Sequence, residues 1–316
     1  MNRFLKAFAI IGFITFLASC KKDDNNYTPP RDYNVQYASE KDSIKKYLKT
    51  HYMTVDADFN VQLDSIDPDN PRPSIWDQTE YPIDSVTVKL KDLAYYHNTT
   101  NTPEYKVYYI KFRQGVGDKP TRGDDVLVSY RGTRLDLTQF DYDPYPQSPL
   151  SLSSVIEGWQ AIMPLFNAGT YVAEPNSPNP ARYENYGAGI MFVPSGLGYY
   201  NTGSGAVGAY QSLVFSFKLY AVNYADTDKD GIPDRYEYDQ DPNEDIGKVD
   251  TDGDYIPNYL DTDDDGDGAS TKLELKIPGS SPTAYYTFDN APDCSGDQTT
   301  AARRRLYLDA TCKKKP

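Results

Sequence analysis

The segment SSVIEGWQAIMPLF, residues 153–166, is markedly apolar within a chain that is otherwise polar and acidic. At helical spacing, one face of this segment carries four large apolar side chains: Val155, Ile156, Trp159 and Ile162. Ser154 followed by Glu157 is a capping-box pattern, which predicts that a short helix begins here. The indole of Trp159 is then either an ordinary part of the core or the floor of a pocket.

Alternating apolar patterns on both sides of this segment predict β-strands. They occur in YKVYYIKF from residue 105, VLVSY from residue 126 and SLVFSFKLYAV from residue 212. In the last of these, one face of the strand holds four apolar residues: Leu213, Phe215, Phe217 and Leu219. Several such strands around one short helix predict an α+β fold, an antiparallel β-sheet wrapped on that helix.

Four sequence blocks follow one another in a familiar order. They are GVGDKPTRGDDVLVSYRGTRLDLTQFD (115–141), PLSLSSVIEGWQAIMPLFNAG (149–169), VPSGLGYYNTG (193–203) and SLVFSFKLYAV (212–222). The second block contains the motif V-I-x-G-W, and the first ends in F-D. Together the blocks resemble the FKBP-type peptidyl-prolyl cis-trans isomerases, over about residues 105–223.

This resemblance implies a proline-binding pocket with Trp159 as its floor. The implied walls are Tyr130, Phe140, Val155, Ile156, Tyr199 and Phe215. Asp141 would stand at the rim, and the Ile156 backbone N–H and the Tyr199 hydroxyl would hydrogen-bond the peptide. Rotation about an X–Pro bond breaks no covalent bond, so catalysis needs no cofactor. The implied partners are proline-containing segments of exported proteins.

Several features depart from the family pattern. Pro146 stands where family members commonly have an aromatic residue, and residues 142–154 lack the arginine that commonly pairs with the pocket aspartate. Tyr200 replaces a small residue, and residues 174–187 interrupt a strand region. These departures favour a second hypothesis, a non-catalytic cell-surface scaffold that binds peptides or mediates adhesion.

Residues 226–274 carry 18 acidic and 4 basic residues, an excess equal to the whole net charge of −14. Three loops in this segment have oxygen ligands at the positions of EF-hand-type calcium loops. The predicted ligands of structural Ca²⁺ are Asp226, Asp228, Asp230, Asp234 and Glu237; Asp250, Asp252, Asp254, Asn258 and Asp261; and Asp263, Asp265, Asp267, Thr271 and Glu274. Tyr255 occupies the usual glycine position of the second loop. The recurring D-x-D-x-D and IP units resemble thrombospondin type 3 repeats, and the alternative is a solvated acidic linker.

The N-terminus has the features of a bacterial lipoprotein signal. Residues 1–19 combine a basic start with a short apolar run, and LASC (17–20) resembles a lipobox in which Cys20 is the lipidated residue. The following tether, residues 20–36, contains KKDDNNYTPP, which is similar to the surface-export signal of Bacteroidetes lipoproteins. These features predict an outer membrane lipoprotein, facing the periplasm or the cell surface and held to the membrane by its lipid anchor. An ordinary signal peptide is the alternative.

The remaining chain divides into an N-terminal region (37–104), an FKBP-type domain (105–224), acidic calcium-binding repeats (225–275) and a tail (276–316). The N-terminal region contains one amphipathic helix pattern, with Ile44, Tyr47, Leu48 and His51 on its apolar face. In an exported protein, Cys294 and Cys312 are expected to form a disulfide. The sequence contains no basic patch that would indicate nucleic-acid binding.

Overall fold

The computed structural model describes residues 29–89, 103–173, 182–238 and 246–312. The predicted signal peptide, the lipidation site Cys20 and most of the tether lie outside the described residues. Contacts divide the chain into two units, Met1–Arg31 and Asp32–Pro316, and all elements named below belong to the second. Within the described ranges, no helix combines the length and the apolar content needed to cross a membrane.

The described residues contain short helices and mostly short strands. In chain order they are α1 (Tyr33–Thr50), β1 (His51–Val55), β2 (Val61–Ser65), β3 (Ile83–Lys89), β4 (Glu104–Arg113), β5 (Asp125–Arg134), β6 (Gln139–Asp143), β7 (Leu150–Ser151), α2 (Glu157–Ile162), β8 (Thr170–Val172), β9 (Arg182–Glu184), β10 (Gly187–Val193), β11 (Leu213–Asn223) and α3 (Thr271–Glu274). The excess of strands over helices confirms the prediction of a sheet-dominated fold with few helices.

A seven-stranded antiparallel sheet forms the centre of the second unit. The strand order is β3-β4-β10-β11-β5-β6. β7 pairs with Asp125 and Val126 at the start of β5, which β6 does not reach. β11 lies in the middle of the sheet, where Phe215 is paired with Met191 of β10 and with Gly132 of β5. Alternation along β11 therefore directs Phe215 and Phe217 to one face of the sheet and Ser216 and Lys218 to the other, as predicted.

Helix α2 begins later than the capping-box pattern predicts. Leu152–Ser154 forms a separate 3-10 turn, and the residue that precedes α2 is Ile156, which has extended backbone angles and no side-chain cap. Ser154 is thus not the cap, because the chain makes an additional turn before the helix starts. The helix is followed at once by a 3-10 turn, Met163–Leu165, which contains Pro164. Proline disfavours continuation of an α-helix, which explains the short length of α2.

The main core lies between α2 and the face of the sheet that carries Phe215. The ring centroid of Trp159 is 5.2 Å from that of Phe215 and 5.8 Å from that of Phe217. Phe166, after the turn that follows α2, meets Phe217 edge-on at 5.0 Å. Full burial of one such side chain stabilises a fold by about 1.5–3 kcal/mol. These aromatic contacts hold the short helix on the sheet.

The N-terminal region covers the opposite face of the sheet. Its α1 helix and β1–β2 hairpin share a second apolar cluster with the sheet: Ile44, Leu48, Val61, Ile75, Ile110, Ile190, Phe192 and Val214. Trp76 meets Tyr108 of β4 edge-on at 5.6 Å. β3 pairs with β4 along its whole length, so the sheet continues across the predicted boundary at residue 104.

Helix α1 is longer than its apolar pattern suggests and ends before His51. It starts after Asp32, whose side chain accepts hydrogen bonds from backbone N–H groups of the first turn, so residues 33–36 are helical rather than part of the predicted tether. The predicted Ile44, Tyr47 and Leu48 are buried. His51 instead begins β1 and stacks its imidazole on the Tyr47 ring at 3.9 Å.

The C-terminal residues pack onto the acidic segment through a small third cluster. Ile232 and Leu275 of the acidic segment contact Ala291 and Tyr307 of the tail, and all four are buried. The predicted disulfide between Cys294 and Cys312 is present, with the two Cα atoms 5.3 Å apart. In the extra sequence at 174–187, the described residues 182–187 include β9, which pairs antiparallel with β8.

The close packing of α2 on the sheet can be tested at Gly158. A Cβ at this position would lie 2.5 Å from a methyl carbon of Val193. Because overpacking of this kind costs about 1–3 kcal/mol, Gly158→Ala should lower the free energy of unfolding by that amount in urea denaturation.

Ser154→Ala is the matched control on the same segment. A true helix cap would cost about 1 kcal/mol on removal, whereas an exposed residue without that role should change stability by less than about 0.5 kcal/mol. A Gly158→Ala variant as stable as the parent chain would show that α2 does not lie this close to β10.

Candidate functional site

Four predicted pocket residues meet where α2 crosses β11 and β5. Trp159 and Phe215 are buried, with 4% and 3% of their surfaces exposed. Tyr130 approaches Trp159 edge-on with ring centroids 5.5 Å apart, and Phe140 approaches Phe215 in the same way at 5.5 Å. Tyr130 and Phe140 are half-buried. The arrangement is a closed aromatic floor with partly exposed aromatic walls.

Gly132 of β5 makes this arrangement possible. A Cβ at this position would lie 2.7 Å from the Phe140 ring and 3.0 Å from the Phe215 ring. A larger residue would therefore separate the two rings or move them away from Trp159. Gly132 therefore has a packing role in the wall of the candidate pocket.

Asp141 is exposed at the rim, and its carboxylate is fixed from two sides. The Tyr130 hydroxyl donates to Oδ2 and the Tyr142 backbone N–H donates to Oδ1, both at 2.8 Å. Burial, followed by the hydrogen bond to Asp141, raises the pKa of Tyr130. The phenol therefore stays protonated at neutral pH and remains the donor. These two bonds orient the carboxylate without the arginine that residues 142–154 lack.

The other predicted wall residues, Val155, Ile156 and Tyr199, are half-buried and pack against the same core. The Ile156 carbonyl accepts a hydrogen bond from the backbone N–H of Trp159 at 2.9 Å. The N–H of Ile156 precedes the first helical turn and has no acceptor within the helix. Burial, and then the Asp141 carboxylate, raises the pKa of Tyr199, so its hydroxyl is a donor at neutral pH. All eight predicted pocket residues thus lie in one region.

The loop that carries Tyr199 is held by α1, a contact that the sequence did not indicate. The buried Glu40 carboxylate accepts hydrogen bonds from the Ser195 backbone N–H at 3.0 Å and from the Ser195 hydroxyl. Tyr200 stacks on Tyr33 of α1 with centroids 4.1 Å apart. The large residue at 200 therefore packs on the N-terminal helix, where it helps to position the loop.

The three predicted calcium loops have the same backbone shape. We name them the first loop (226–237), the second loop (250–261) and the third loop (263–274). The sixth residue of each has a positive φ: 107° at Gly231, 78° at Tyr255 and 92° at Gly268. Tyr255 therefore adopts a conformation that usually requires glycine, and the second loop keeps the shape of the other two.

In each loop, the acids at positions 1, 3 and 5 converge. One carboxylate oxygen from each lies within 4.8 Å of the others, in the groups Asp226, Asp228 and Asp230; Asp250, Asp252 and Asp254; and Asp263, Asp265 and Asp267. Calcium binds oxygen ligands at about 2.3–2.6 Å, so three oxygens with this spacing can share one ion.

The residues at position 9 form hydrogen bonds within their own loops. Asp234 accepts hydrogen bonds from the Thr227 backbone N–H and hydroxyl at 2.7 and 2.6 Å. The Asn258 side chain accepts from the Thr251 backbone N–H at 2.9 Å and donates to the Thr251 hydroxyl at 2.8 Å. The Thr271 hydroxyl donates to the Asp264 carboxylate at 3.2 Å. Among the described residues, Asp234 lies outside the groups of converging acids, and all three side chains help to close their own loops.

The predicted ligands at position 12 also differ from one another. In the part of the chain that the structure describes, Asp261 and Glu274 fall outside the groups of converging acids. Glu237 converges with Asp230 and with Asp264, a residue outside the predicted ligand set. The acidic segment therefore contains one group that spans two loops.

The carboxylates of the first loop are unfavourably placed unless a cation neutralises them. The pKa of Asp228 is raised to about 6 and that of Asp230 to about 7, first by burial and then by neighbouring carboxylates. Asp226, Asp228 and Asp230 each have a buried oxygen without a hydrogen-bond partner among the described residues. A set of hard carboxylate oxygens fits Ca²⁺ better than softer metals.

Comparison with known proteins gives a match to one family model and matches to individual relatives. Residues 242–301 match the family model described as BamM C-terminal. A probable FKBP-type peptidyl-prolyl cis-trans isomerase FkpA of Neisseria meningitidis is 30% identical over 154 residues, which is 48% of this chain and 46% of the relative. The peptidyl-prolyl cis-trans isomerase Mip of Coxiella burnetii is 31% identical over 125 residues, 39% of this chain and 45% of the relative.

Part of the chain is homologous to FKBP-type peptidyl-prolyl isomerases, at modest identity. This homology confirms the resemblance that the four sequence blocks predict. The chain spans less than half the length of the curated relatives described above. A third relative, the outer membrane protein MIP of Legionella longbeachae, is 32% identical over 114 residues, 35% of this chain and 42% of the relative.

Solved structures of two isomerases also align with part of the chain. The alignment with the peptidyl-prolyl cis-trans isomerase of Pseudomonas syringae includes 37% of this chain and 75% of the isomerase chain. The identity is 25% and the TM-score is 0.30. The alignment with FkpA of Escherichia coli includes 40% of this chain and 53% of the FkpA chain. The identity is 25% and the TM-score is 0.31.

The backbone of the second loop predicts that Tyr255→Gly stabilises the chain. A non-glycine residue at positive φ costs about 1–3 kcal/mol, and the Tyr255 ring loses little packing because 84% of its surface is exposed. Glycine has more conformational entropy than tyrosine in the unfolded chain, and this offsets part of the strain that is relieved. We therefore expect a net gain of up to about 1 kcal/mol in the free energy of unfolding.

Tyr145→Gly is the control for this experiment. Tyr145 is 80% exposed and is not among the residues with positive φ, so its replacement should destabilise the chain slightly. Equal losses for both variants, measured by urea denaturation in calcium, would show that Tyr255 is not strained.

Proposed function

We propose that this chain is a peptidyl-prolyl cis-trans isomerase that acts on proline-containing segments of exported proteins. The observation that carries the proposal is the aromatic floor of Trp159 and Phe215, walled by Tyr130 and Phe140, with two donors beside it. Relatives that are named as peptidyl-prolyl cis-trans isomerases support the same assignment.

The residues suit a reaction in which no covalent bond breaks. Amide resonance creates a rotation barrier of about 20 kcal/mol. The planar amide is more dipolar than the twisted amide, so a water-poor aromatic surface at Trp159 favours the twisted form. The Ile156 N–H and the Tyr199 hydroxyl are available to hold the peptide in that form, and binding that is stronger in the transition state lowers the barrier.

A peptide-binding scaffold without turnover is the second candidate function. The observation that favours this function concerns Asp141. The Asp141 carboxylate is hydrogen-bonded to Tyr130 and to the Tyr142 backbone, and residues 142–154 contain no arginine to pair with it. In this case a proline segment would bind on Trp159 with no change in its rate of isomerisation. Activity measurements separate the two functions.

Isomerisation of a Xaa-Pro test peptide by the full-length chain tests the proposal. The two tryptophans provide a matched pair, because Trp159 is in the candidate pocket and Trp76 packs on the opposite face of the sheet. We expect the parent chain to accelerate isomerisation and Trp159→Leu to lose roughly tenfold or more in kcat/KM, about 1.4 kcal/mol of transition-state binding.

Trp76→Leu should retain nearly all activity in the same assay. Circular dichroism of both variants establishes that they are folded. A folded parent chain that accelerates nothing but binds the peptide would favour the scaffold, and equal activities of the two variants would remove Trp159 from the site.

We further propose that Cys20 is lipidated and anchors the chain to the outer membrane. The support is the lipobox-like sequence at 17–20 and a relative named outer membrane protein MIP. Labelled fatty acid should be incorporated into the chain and not into a Cys20→Ser variant. Equal labelling of the two proteins would disprove the anchor at this residue.

The three acidic loops are proposed to bind structural calcium. The support is the convergence of three carboxylates in each loop and the buried oxygens without partners. Without a cation these acids repel one another, so we expect the segment to lose its structure when a chelator removes calcium.

Hydrogen exchange of the full-length chain, with calcium and with excess chelator, measures this effect. Amides in residues 246–274 should exchange at least tenfold faster in chelator, while β10 and β11 should change little. Magnesium at the same concentration controls for ionic strength. Unchanged exchange in the acidic segment would contradict calcium binding.

A further inference from the structure

In all three acidic loops position 2 is hydrogen-bonded to position 9, but in the third loop the acid and the threonine have exchanged places. In the first loop, Thr227 at position 2 donates to Asp234 at position 9. The second loop uses Thr251 and Asn258 at the same positions. In the third loop the acid is at position 2, Asp264, and the threonine is at position 9, Thr271. The bond is retained, but the carboxylate has moved to the other side of the loop.

The exchange leaves one carboxylate oxygen of Asp264 directed at the first loop. Asp264 is 1% exposed, and its Oδ2 accepts the Thr271 hydroxyl at 3.2 Å. Its Oδ1 is buried and has no hydrogen-bond partner among the described residues. One oxygen of Asp264 lies within 4.8 Å of oxygens of both Asp230 and Glu237. The Thr271 bond thus orients the carboxylate toward two acids of another loop.

The two partners of Asp264 are also buried, and each has at least one carboxylate oxygen without a hydrogen-bond partner among the described residues. Asp230 is 2% exposed and Glu237 is 3% exposed. Both oxygens of Glu237, and Oδ2 of Asp230, are buried without a hydrogen-bond partner in the described parts of the chain. Three carboxylates out of contact with water cannot all be charged unless a cation neutralises them.

The surroundings show which parts of the chain meet at this group. Ile232 of the first loop, Leu275 directly after the third loop and Tyr307 of the tail pack together in one apolar cluster. Tyr307 is 1% exposed in this cluster. The acids therefore lie at the junction of the first loop, the third loop and the tail.

We propose that Asp230, Glu237 and Asp264 bind a calcium ion that joins the first loop to the third loop. This inter-loop site is additional to the sites that the loop registers predict, and it rests on the proposed calcium binding by this segment. Asp230 belongs both to the inter-loop site and to the group with Asp226 and Asp228. One carboxylate thus bridges two neighbouring ions, and ion binding fixes the third loop and the tail onto the first loop.

A reciprocal exchange of two residues tests the site without changing the charge. The double variant Asp264→Thr with Thr271→Asp restores the arrangement of the first loop, with threonine at position 2 and aspartate at position 9. It keeps the internal bond of the third loop and removes the carboxylate from the inter-loop site. The number of calcium ions bound per full-length chain is counted by native mass spectrometry during a calcium titration.

We expect the double variant to bind one calcium ion fewer than the parent chain. Hydrogen exchange of residues 226–238 in calcium should become at least tenfold faster, because the first loop loses its link to the third. The single variant Asp264→Asn, which keeps an oxygen to accept the Thr271 hydroxyl, gives the same comparison if the double variant does not fold. Asp254→Asn in the second loop is the control and should leave exchange in 226–238 unchanged.

An unchanged ion count and unchanged exchange in the double variant would overturn the inter-loop site while leaving the loop sites intact. A parent chain that binds no calcium would overturn both this inference and the proposed role of the loops. Loss of an ion in Asp254→Asn alone would assign calcium to the second loop and not to Asp264.

Discussion

The packing of Trp159 against the central strand β11 is the constraint on which the rest of the isomerase-like region depends. β11 is the middle strand of the sheet, so Phe215 and Phe217 cannot move without disturbing β10 and β5. Six residues of helix carry the indole onto these rings. Gly158 within α2, facing Val193, and Gly132 beside Phe215 allow the close approach. The same contacts that stabilise the core therefore form the floor of the candidate pocket.

The residues of the candidate pocket followed from the family resemblance of four sequence blocks. Local patterns predicted the secondary structure of this region, because alternation identified β4, β5 and β11. The start of α2 was the exception, since a capping-box pattern cannot reveal that the chain makes a 3-10 turn first. Phe217 was visible in the strand pattern, yet only its contact with the Trp159 ring gives it a place in the floor.

Contacts between distant parts of the chain could not be predicted in this way. Glu40 and Ser195 are separated by 155 residues, and neither belongs to a pattern that indicates a partner. Through this contact and the stacking of Tyr33 on Tyr200, the N-terminal helix positions the loop of Tyr199. Tyr200 departs from the family pattern for a physical reason, because its ring packs against a helix contributed by another region of this chain.

The acidic segment shows the same division between local and distant information. Spacing predicted the acids at positions 1, 3 and 5, because ligands of one loop are close in sequence. It did not predict that position 9 closes the loop by bonding position 2, nor that Asp264 would meet Glu237 of another loop. The group that joins two loops arises from tertiary folding, and its buried carboxylates are recognisable only in the structure.

The central claim is that a proline ring binds on the indole of Trp159. Its most direct test is an intermolecular nuclear Overhauser experiment between a Xaa-Pro peptide and the full-length chain carrying Trp76→Leu, in which Trp159 supplies the single indole signal. The account predicts cross-peaks between the indole protons and the ring protons of the proline. Peptide cross-peaks to other parts of the protein, with none to the indole, would contradict it.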